Sequence, residues 1–265
     1  MVRYRKVNGK IIAYSKWYDH KNFGVDYDVN MFKNKKDLID WYLSEKNATR
    51  YVVQLNDYIK SFVTKNKFKN IVSFGSGVCV QEYLLKKDLP KDYTVVATDY
   101  NKEAIEKAQS FFPEPELICR VFDLKKDSVV ELERQLGLEI DFAFLVNSAY
   151  VMDDKRFISF FKELNECGVG YVIDASGGII YNKRVVPWYL HRIINAGYYI
   201  FHGNLKYSER YVPEDRPFGY ARTIPELLKL YRAAGYTVID SFANRFLKDI
   251  SREHIGLLKK INEAR

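Results

Sequence analysis

The sequence predicts an α/β fold, a mostly parallel seven-stranded sheet with an antiparallel edge, and three observations carry that prediction. Residues 70–83, NIVSFGSGVCVQEY, pass from a β-branched apolar run through Gly75-Ser76-Gly77 into a segment with Val80, Tyr83 and Leu84 at helical spacing. Downstream, short apolar runs alternate with helical patterns, which implies parallel strands joined by crossover helices. The next three apolar runs each end in a polar residue, Asp99, Asp123 and Asn147. Open α/β sheets bind ligands at that carboxyl edge.

The elements follow in order. Residues 1–66 read as an N-terminal hairpin and helical cap. Asn8-Gly9, flanked by Val7 and by Ile11-Ile12, is a type I′ turn signal for a hairpin over 2–16. Residues 17–32 have no clear period. Helices are predicted over 35–46 and 48–66, the second with Tyr51, Leu55, Tyr58, Ile59 and Phe62 on one stripe.

Residues 67–265 form the second unit. Its strands are expected at 70–74, 93–98, 117–122, 140–146 and 169–175. Helices are expected at 79–87, 101–111, 127–136 and 153–166, with Asn101 suited to cap the second of them. Residues 177–222 break the alternation. They carry many tyrosines, Trp188, His191 and His202, and an insertion of about 45 residues is long enough to be a lid. Thr223 to Glu226 is a capping box opening a helix through Ala233. Strands at 236–242 and 253–261, joined by a short connection, supply the antiparallel edge.

Composition bounds the reading. A chain of 265 residues is one large domain, or one domain with a cap, and 47% hydrophobic with 29% charged residues is the balance of a soluble globular protein. No apolar run approaches the ~18 residues of a membrane span. The basic N-terminus lacks a following apolar segment, so no secretory signal is read and a cytoplasmic location is expected. Cys79, Cys119 and Cys167 fit neither a disulfide framework nor a metal-ligand spacing. They are expected to be buried small apolar residues, and no metal is expected. The net charge is +8, but the lysines are scattered, so a solvated surface is favoured over a track for phosphate backbones.

These residues resemble class I S-adenosylmethionine-dependent methyltransferases, over about three quarters of the chain (residues 70–261). Ser73 to Cys79, with Gly75 and Gly77, is similar to that family's first motif. Residues 97–104 around Asp99 look like the second, Val121 to Leu124 resemble the third and Asp141 to Ala149 the fourth. The chain departs from the first motif twice: Ser73 stands where the family has an acid, and Cys79 where it has a third glycine. A dinucleotide-dependent dehydrogenase would want that third glycine, and no Walker lysine follows the turn.

The resemblance implies a Rossmann-like domain with S-adenosyl-L-methionine as cofactor. Gly75, Ser76 and Gly77 would meet it at the backbone. Asp99 follows Gly77 by 22 residues, close to the ~20 expected for a ribose-hydroxyl acceptor. Tyr100 would pack on the adenine, Asp123 would accept from its amine with Leu124 against the ring, and Asn147 would face the methionine end. Catalysis would need orientation first and a base only for an acceptor that keeps its proton. His191, His202 and Tyr150 are the candidates, with His20 and His254 weaker ones. A small-molecule acceptor methylated at O or N is expected, enclosed by residues 1–66 and 177–222. The alternatives are a nucleic-acid methyltransferase, since Asn147-Ser-Ala-Tyr150 keeps the ends of an Asn-Pro-Pro-Tyr tetrad, an aminocarboxypropyl transferase, or a cofactor-binding protein without catalysis.

Overall fold

The computed structural model describes residues 2–7, 10–15, 32–43, 50–175, 219–220, 222, 224–241 and 256–261. The four histidines (His20, His191, His202 and His254) and the Thr223 cap lie outside the described residues.

The chain starts with β1 (Val2–Val7) and β2 (Lys10–Ser15), antiparallel with Val7 opposite Lys10, so two residues separate them as the Asn8-Gly9 signal predicts. Helices α1 (Lys35–Leu43) and α2 (Arg50–Asn66) follow. The α/β unit then runs β3 (Asn70–Phe74), α3 (Val80–Asp88), β4 (Thr94–Asp99), α4 (Lys102–Phe111), β5 (Ile118–Val121), α5 (Val129–Leu136), β6 (Phe142–Val146), α6 (Asp154–Glu166) and β7 (Tyr171–Ala175). After the insertion come β8 (Gly219–Tyr220), α7 (Ile224–Ala233), β9 (Tyr236–Ser241) and β10 (Gly256–Lys260).

Seven strands form one sheet in the order β5-β4-β3-β6-β7-β10-β9. The first five are mutually parallel. The expected antiparallel edge is there in a specific form: β10 is inserted one strand in from the rim and runs antiparallel to both β7 and β9. Alternation along the strands divides the core. Ile71, Val95, Ala97, Phe144 and Ile173 face the side covered by α2, α3 and α4. Val72, Phe74, Val96, Leu145 and Val172 face α5, α6 and α7. A sheet buried on both faces explains why its strands read as nearly continuous apolar runs.

Two features differ from the sequence expectation. Helix α2 does not stand apart as a cap. Leu55, Ile59 and Val63 are buried in the core shared with β3 and β6, and the Phe62 ring lies 5.8 Å from Phe142 and 5.3 Å from Tyr171, centroid to centroid. Fully burying a side chain such as Leu55, Ile59 or Val63 contributes about 1.5–3 kcal/mol, so α2 is part of the α/β core. The second feature concerns the insertion. Its last residues, Gly219 and Tyr220, pair with Ala13 and Ile12 of β2 in a separate three-stranded sheet, β1-β2-β8. The end of the insertion and the N-terminal hairpin therefore share one hydrogen-bonded unit.

Local signals set several boundaries. Asn101 caps α4, its side chain accepting from Ala104 N at 3.2 Å, and Asp153 caps α6 through Arg156 N at 2.8 Å. Asp141 accepts from the backbone N–H groups of Lys69 and Asn70, both at 2.8 Å, and so ties the start of β3 to β6 at the edge opposite the site. Cys79 and Cys119 are fully buried, whereas Cys167 is half-buried.

Candidate functional site

Parallel register brings the carboxyl ends of β3, β4, β6 and β7 together: Phe74 is opposite both Thr98 and Leu145, and Val146 is opposite Ala175. The strand order reverses beside β3, where β4 departs on one side and β6 on the other, so the ligand crevice of an open α/β sheet falls here.

The turn after β3 is held from below. Gly75 N and Ser76 N both donate to Thr98 O at 2.8 Å, and Thr98 Oγ1 donates to Ser73 O at 2.9 Å. Gly75 and Gly77 have φ of +80° and +56°, a region where side chains are strained. The space beside them differs. A Cβ on Gly75 would lie 2.3 Å from Ser148 Cβ, while one on Gly77 would meet nothing within 4 Å. Ser148 itself donates to Phe74 O at 2.7 Å. Gly75 is therefore glycine because the β6 turn packs on it, and Gly77 is the glycine that faces open space.

Asp99 ends β4 and closes the turn. Its Oδ2 accepts from Gly77 N and its Oδ1 from Asn101 N, each at 2.9 Å. A carboxylate has about four acceptor sites, so capacity remains for a ligand hydroxyl. Burial pushes the Asp99 carboxyl upward, and hydrogen bonds from Asn101, Gly77 and Tyr100 pull back towards the ionised form. Tyr100 is partly exposed between Asp99 and Asp123. Burial and the charges of those two acids raise its phenol well above its ordinary range.

Asp123 and Leu124 follow β5. Asp123 Oδ1 accepts from Lys125 N at 2.9 Å, an Asx turn that orients the loop, and its Oδ2 is 3.8 Å from Lys126 Nζ. Leu124 is buried, in one hydrophobic cluster with Phe122, Val129 and Leu132. The loop is fixed by Arg156, which donates to Leu124 O at 2.8 Å and to Asp127 O and pairs with Glu163 at 2.6 Å. Nothing in the local sequence marks Arg156 as the holder of this loop, because the two carbonyls it binds lie about 30 residues upstream in the chain.

On the other side of the crevice, Asn147 is exposed with φ +51°, and its N–H donates to Ala175 O at 3.2 Å. Tyr150 is half-buried in the 3-10 turn Ala149–Val151 that follows. Arg222, where the insertion returns, is buried. It donates to Met152 O at 2.7 Å and pairs with Asp154 at 3.0 Å. The structure thus gathers Gly75, Ser76, Gly77, Asp99, Tyr100, Asp123, Asn147 and Tyr150 along one edge. His191 and His202 lie outside the described residues.

Glu82, which the sequence reading passed over, lies under the turn. It is 2% exposed, its Oε1 accepts from Ser73 Oγ at 2.6 Å, and Ser76 Oγ reaches Ser73 Oγ at 3.0 Å. Its Oε2 has no hydrogen-bond partner among the described residues. Burial first, and then the Asp99 charge, raise its carboxyl to about 7, against hydrogen bonds from Ser73 and Ser76. The one signal that could have found it is the missing acid at Ser73. Among the described residues, no three His, Cys, Asp or Glu residues gather in a way that could hold a metal ion, and no helix is long and apolar enough to cross a membrane.

No protein-family profile matches this chain, and no curated protein matches it. Solved structures match in fold. The S-adenosylmethionine-dependent methyltransferase SibL, in its apo form, is 13% identical, with 80% of this chain and 56% of that one covered and a TM-score of 0.52. An O-methyltransferase family protein from Burkholderia thailandensis is 11% identical, with 87% and 60% covered and a TM-score of 0.51. The magnesium protoporphyrin IX methyltransferase ChlM from Synechocystis PCC 6803, with bound SAH, is 12% identical, with 85% and 99% covered and a TM-score of 0.50. This chain spans less than two thirds of the length of several matches: 43% for LepI, 56% for SibL and 60% for the Burkholderia protein. The fold is that of the class I S-adenosylmethionine-dependent methyltransferases.

Proposed function

We propose that this chain, with its class I methyltransferase fold as the starting point, binds S-adenosylmethionine at the turn after β3 and directs methyl transfer to O or N of a small-molecule acceptor. The observation that carries the proposal is Asp99, whose carboxylate clamps Gly77 and Asn101 at the switch point and keeps acceptor capacity for a ribose hydroxyl. The open space at Gly77 fits a ligand approaching the backbone, and the unpartnered Glu82 oxygen fits a donor that the protein itself does not supply. When bound, the cofactor supplies a methyl carbon already activated by its sulfonium.

The chain's own residues bind and orient. The Gly75–Gly77 turn and Asp99 hold the nucleoside end, and Arg156 keeps the Asp123 loop in register with it. Asn147 and Tyr150 lie on the acceptor side. The insertion leaves β7 next to Asn147 and returns at Arg222 beside Met152 and Asp154. Both of its ends therefore flank the Tyr150 turn. Residues 177–222 and the N-terminal hairpin, which share a sheet through β8, would enclose the acceptor and exclude water. A base, where the acceptor needs one, would come from His191, His202 or Tyr150.

Isothermal titration with S-adenosylhomocysteine tests the cofactor site. Asp99→Ala should weaken binding by about 1.5–3 kcal/mol, the scale of a lost charged hydrogen bond. Methyl-labelled cofactor offered with mixed phenolic and amine acceptors and with total RNA tests the acceptor class. Label in small molecules is the expected result. Absence of binding by the wild-type protein would sink the cofactor assignment, and label confined to RNA would sink the acceptor assignment.

A further inference from the structure

We propose that Glu82 is the acidic anchor for a cationic amino-acid end of the ligand, supplied from helix α3 in place of the acid that position 73 lacks. The proposal rests on the cofactor reading above and names the residue that would receive the α-ammonium, directly or through one water.

The argument starts from an unmet valence. Buried polar atoms are almost always hydrogen-bonded, because leaving one bare costs its full desolvation. Glu82 Oε2 is the one buried side-chain oxygen or nitrogen without a partner among the described residues. Its place is telling. Oε1 is held by Ser73 Oγ at 2.6 Å, and Ser76 of the glycine turn is joined to Ser73 at 3.0 Å and to Thr98 N at 3.2 Å. The carboxyl is thus built into the base of the turn that the ligand would straddle. Ser73 and Ser76 orient it without neutralising it, since hydroxyls carry no charge. No Lys or Arg is hydrogen-bonded to it among the described residues. A donor that is also a cation would fill the free valence and stabilise the ionised carboxylate together.

The chemistry of the surroundings agrees. The titratable groups facing Glu82 are Asp99 from β4 and the Cys79 thiol from its own turn. Cys79 is kept protonated, first by its hydrogen bond with Cys119 and then by burial. Helix α2 contributes the neutral Asn56, which pairs with Gln81 rather than with Glu82. The site therefore holds two acids and no compensating base among the described residues, which suits a zwitterionic ligand presenting its ammonium to Glu82 and its hydroxyls to Asp99.

The sign of the linkage follows. In the free protein the Glu82 carboxyl titrates at about 7, and an ammonium beside it favours the ionised form. Binding should then release a proton below and around pH 7, and affinity should rise with pH up to that range and level off above it.

The experiment compares two probes, S-adenosylhomocysteine and 5′-methylthioadenosine, which shares the nucleoside but has no amino-acid end. Titration of the wild-type protein in buffers of different ionisation enthalpy should show proton release with the first probe and none with the second. Glu82→Gln keeps the shape and removes the ionisation, so it should fold as well as the wild type. It should lose about 10- to 100-fold in affinity for S-adenosylhomocysteine and nothing for 5′-methylthioadenosine. The double variant Ser73→Asp, Glu82→Gln returns an acid to the strand end and should regain affinity. Equal losses for both probes, or no loss for either, would overturn the proposal and leave Glu82 as a support of the turn. If the wild type binds neither probe, the cofactor reading itself falls and this proposal with it. If it binds 5′-methylthioadenosine and S-adenosylhomocysteine alike without proton release, only the Glu82 assignment falls.

Discussion

At Gly75 the backbone has φ +80° and Ser148 occupies the space a Cβ would need. At Gly77 φ is +56° and that space is open. The two residues therefore separate stability from binding. Gly75→Ala must strain a left-handed residue and push Ser148 off Phe74 O, so it should lose about 2–4 kcal/mol in denaturant unfolding. Gly77→Ala carries only the conformational strain, about 1 kcal/mol. Its main effect should be on S-adenosylhomocysteine affinity, because the new methyl group enters the side from which the ligand approaches. A calorimetric titration and an unfolding curve on both variants would check the split. Equal destabilisation without a difference in binding would contradict it. Ser148 thus gives Gly75 a packing reason to be glycine that the sequence does not state.

Among the elements, the segment from β6 to α6 joins more parts of the site than any strand does. Asn147 meets the end of β7, Ser148 meets β3, and Met152 and Asp154 receive Arg222 from the far end of the insertion. The Arg222 guanidinium also lies 4.8 Å over the Phe157 ring, which packs it on α6. Arg222 is 5% exposed, so removing it takes one donor away from Met152 O and one from Asp154. Arg222→Ala should destabilise the protein by about 1–3 kcal/mol. The partial exposure of Asp154, 35%, keeps the figure below that of a fully buried pair. Thermal unfolding would measure the loss. Arg222→Lys should recover only part of it, since a single ammonium cannot bridge a carbonyl and a carboxylate as the fork does. Full recovery by Lys would show that charge alone fixes the insertion's end.

For the whole molecule the question is what a net charge of +8 is for. At the site itself the described ionisable groups are mainly acidic: Asp99, Asp123 and Glu82 gather at the glycine turn and the adjoining loops. Several of the described cations are already engaged, Lys35 with Glu116, Lys69 with Asp92 and Arg156 with Glu163. A polyanion held by diffuse attraction alone loses affinity steeply as salt rises. RNA affinity should then fall by about 10³-fold or more between 50 and 200 mM salt, measured by fluorescence anisotropy with an unstructured oligonucleotide. A complex that survives the higher salt with sequence preference would favour nucleic acid as the acceptor instead.

Strand and helix identities were legible in the chain because both signals are local. Short continuous apolar runs, the Gly75-Ser76-Gly77 break, the Asn101 cap and the acids at or just past the ends of β4 and β5 are set by near neighbours. They sufficed for the order of the elements and for one edge of the site. What only the tertiary structure decided depends on residues far apart in sequence meeting in space. Helix α2 entered the core because Phe62 finds Phe142 and Tyr171, which no local pattern states. The loop after β5 is held because Arg156 reaches the Leu124 carbonyl from α6. Glu82 became part of the site because α3 folds back under the turn and sets its carboxyl against Ser73. The sequence by itself determined which residue types stand at the carboxyl edge; the packing of distant elements decided which of them face the crevice, because burial and hydrogen-bond satisfaction are properties of the assembled fold.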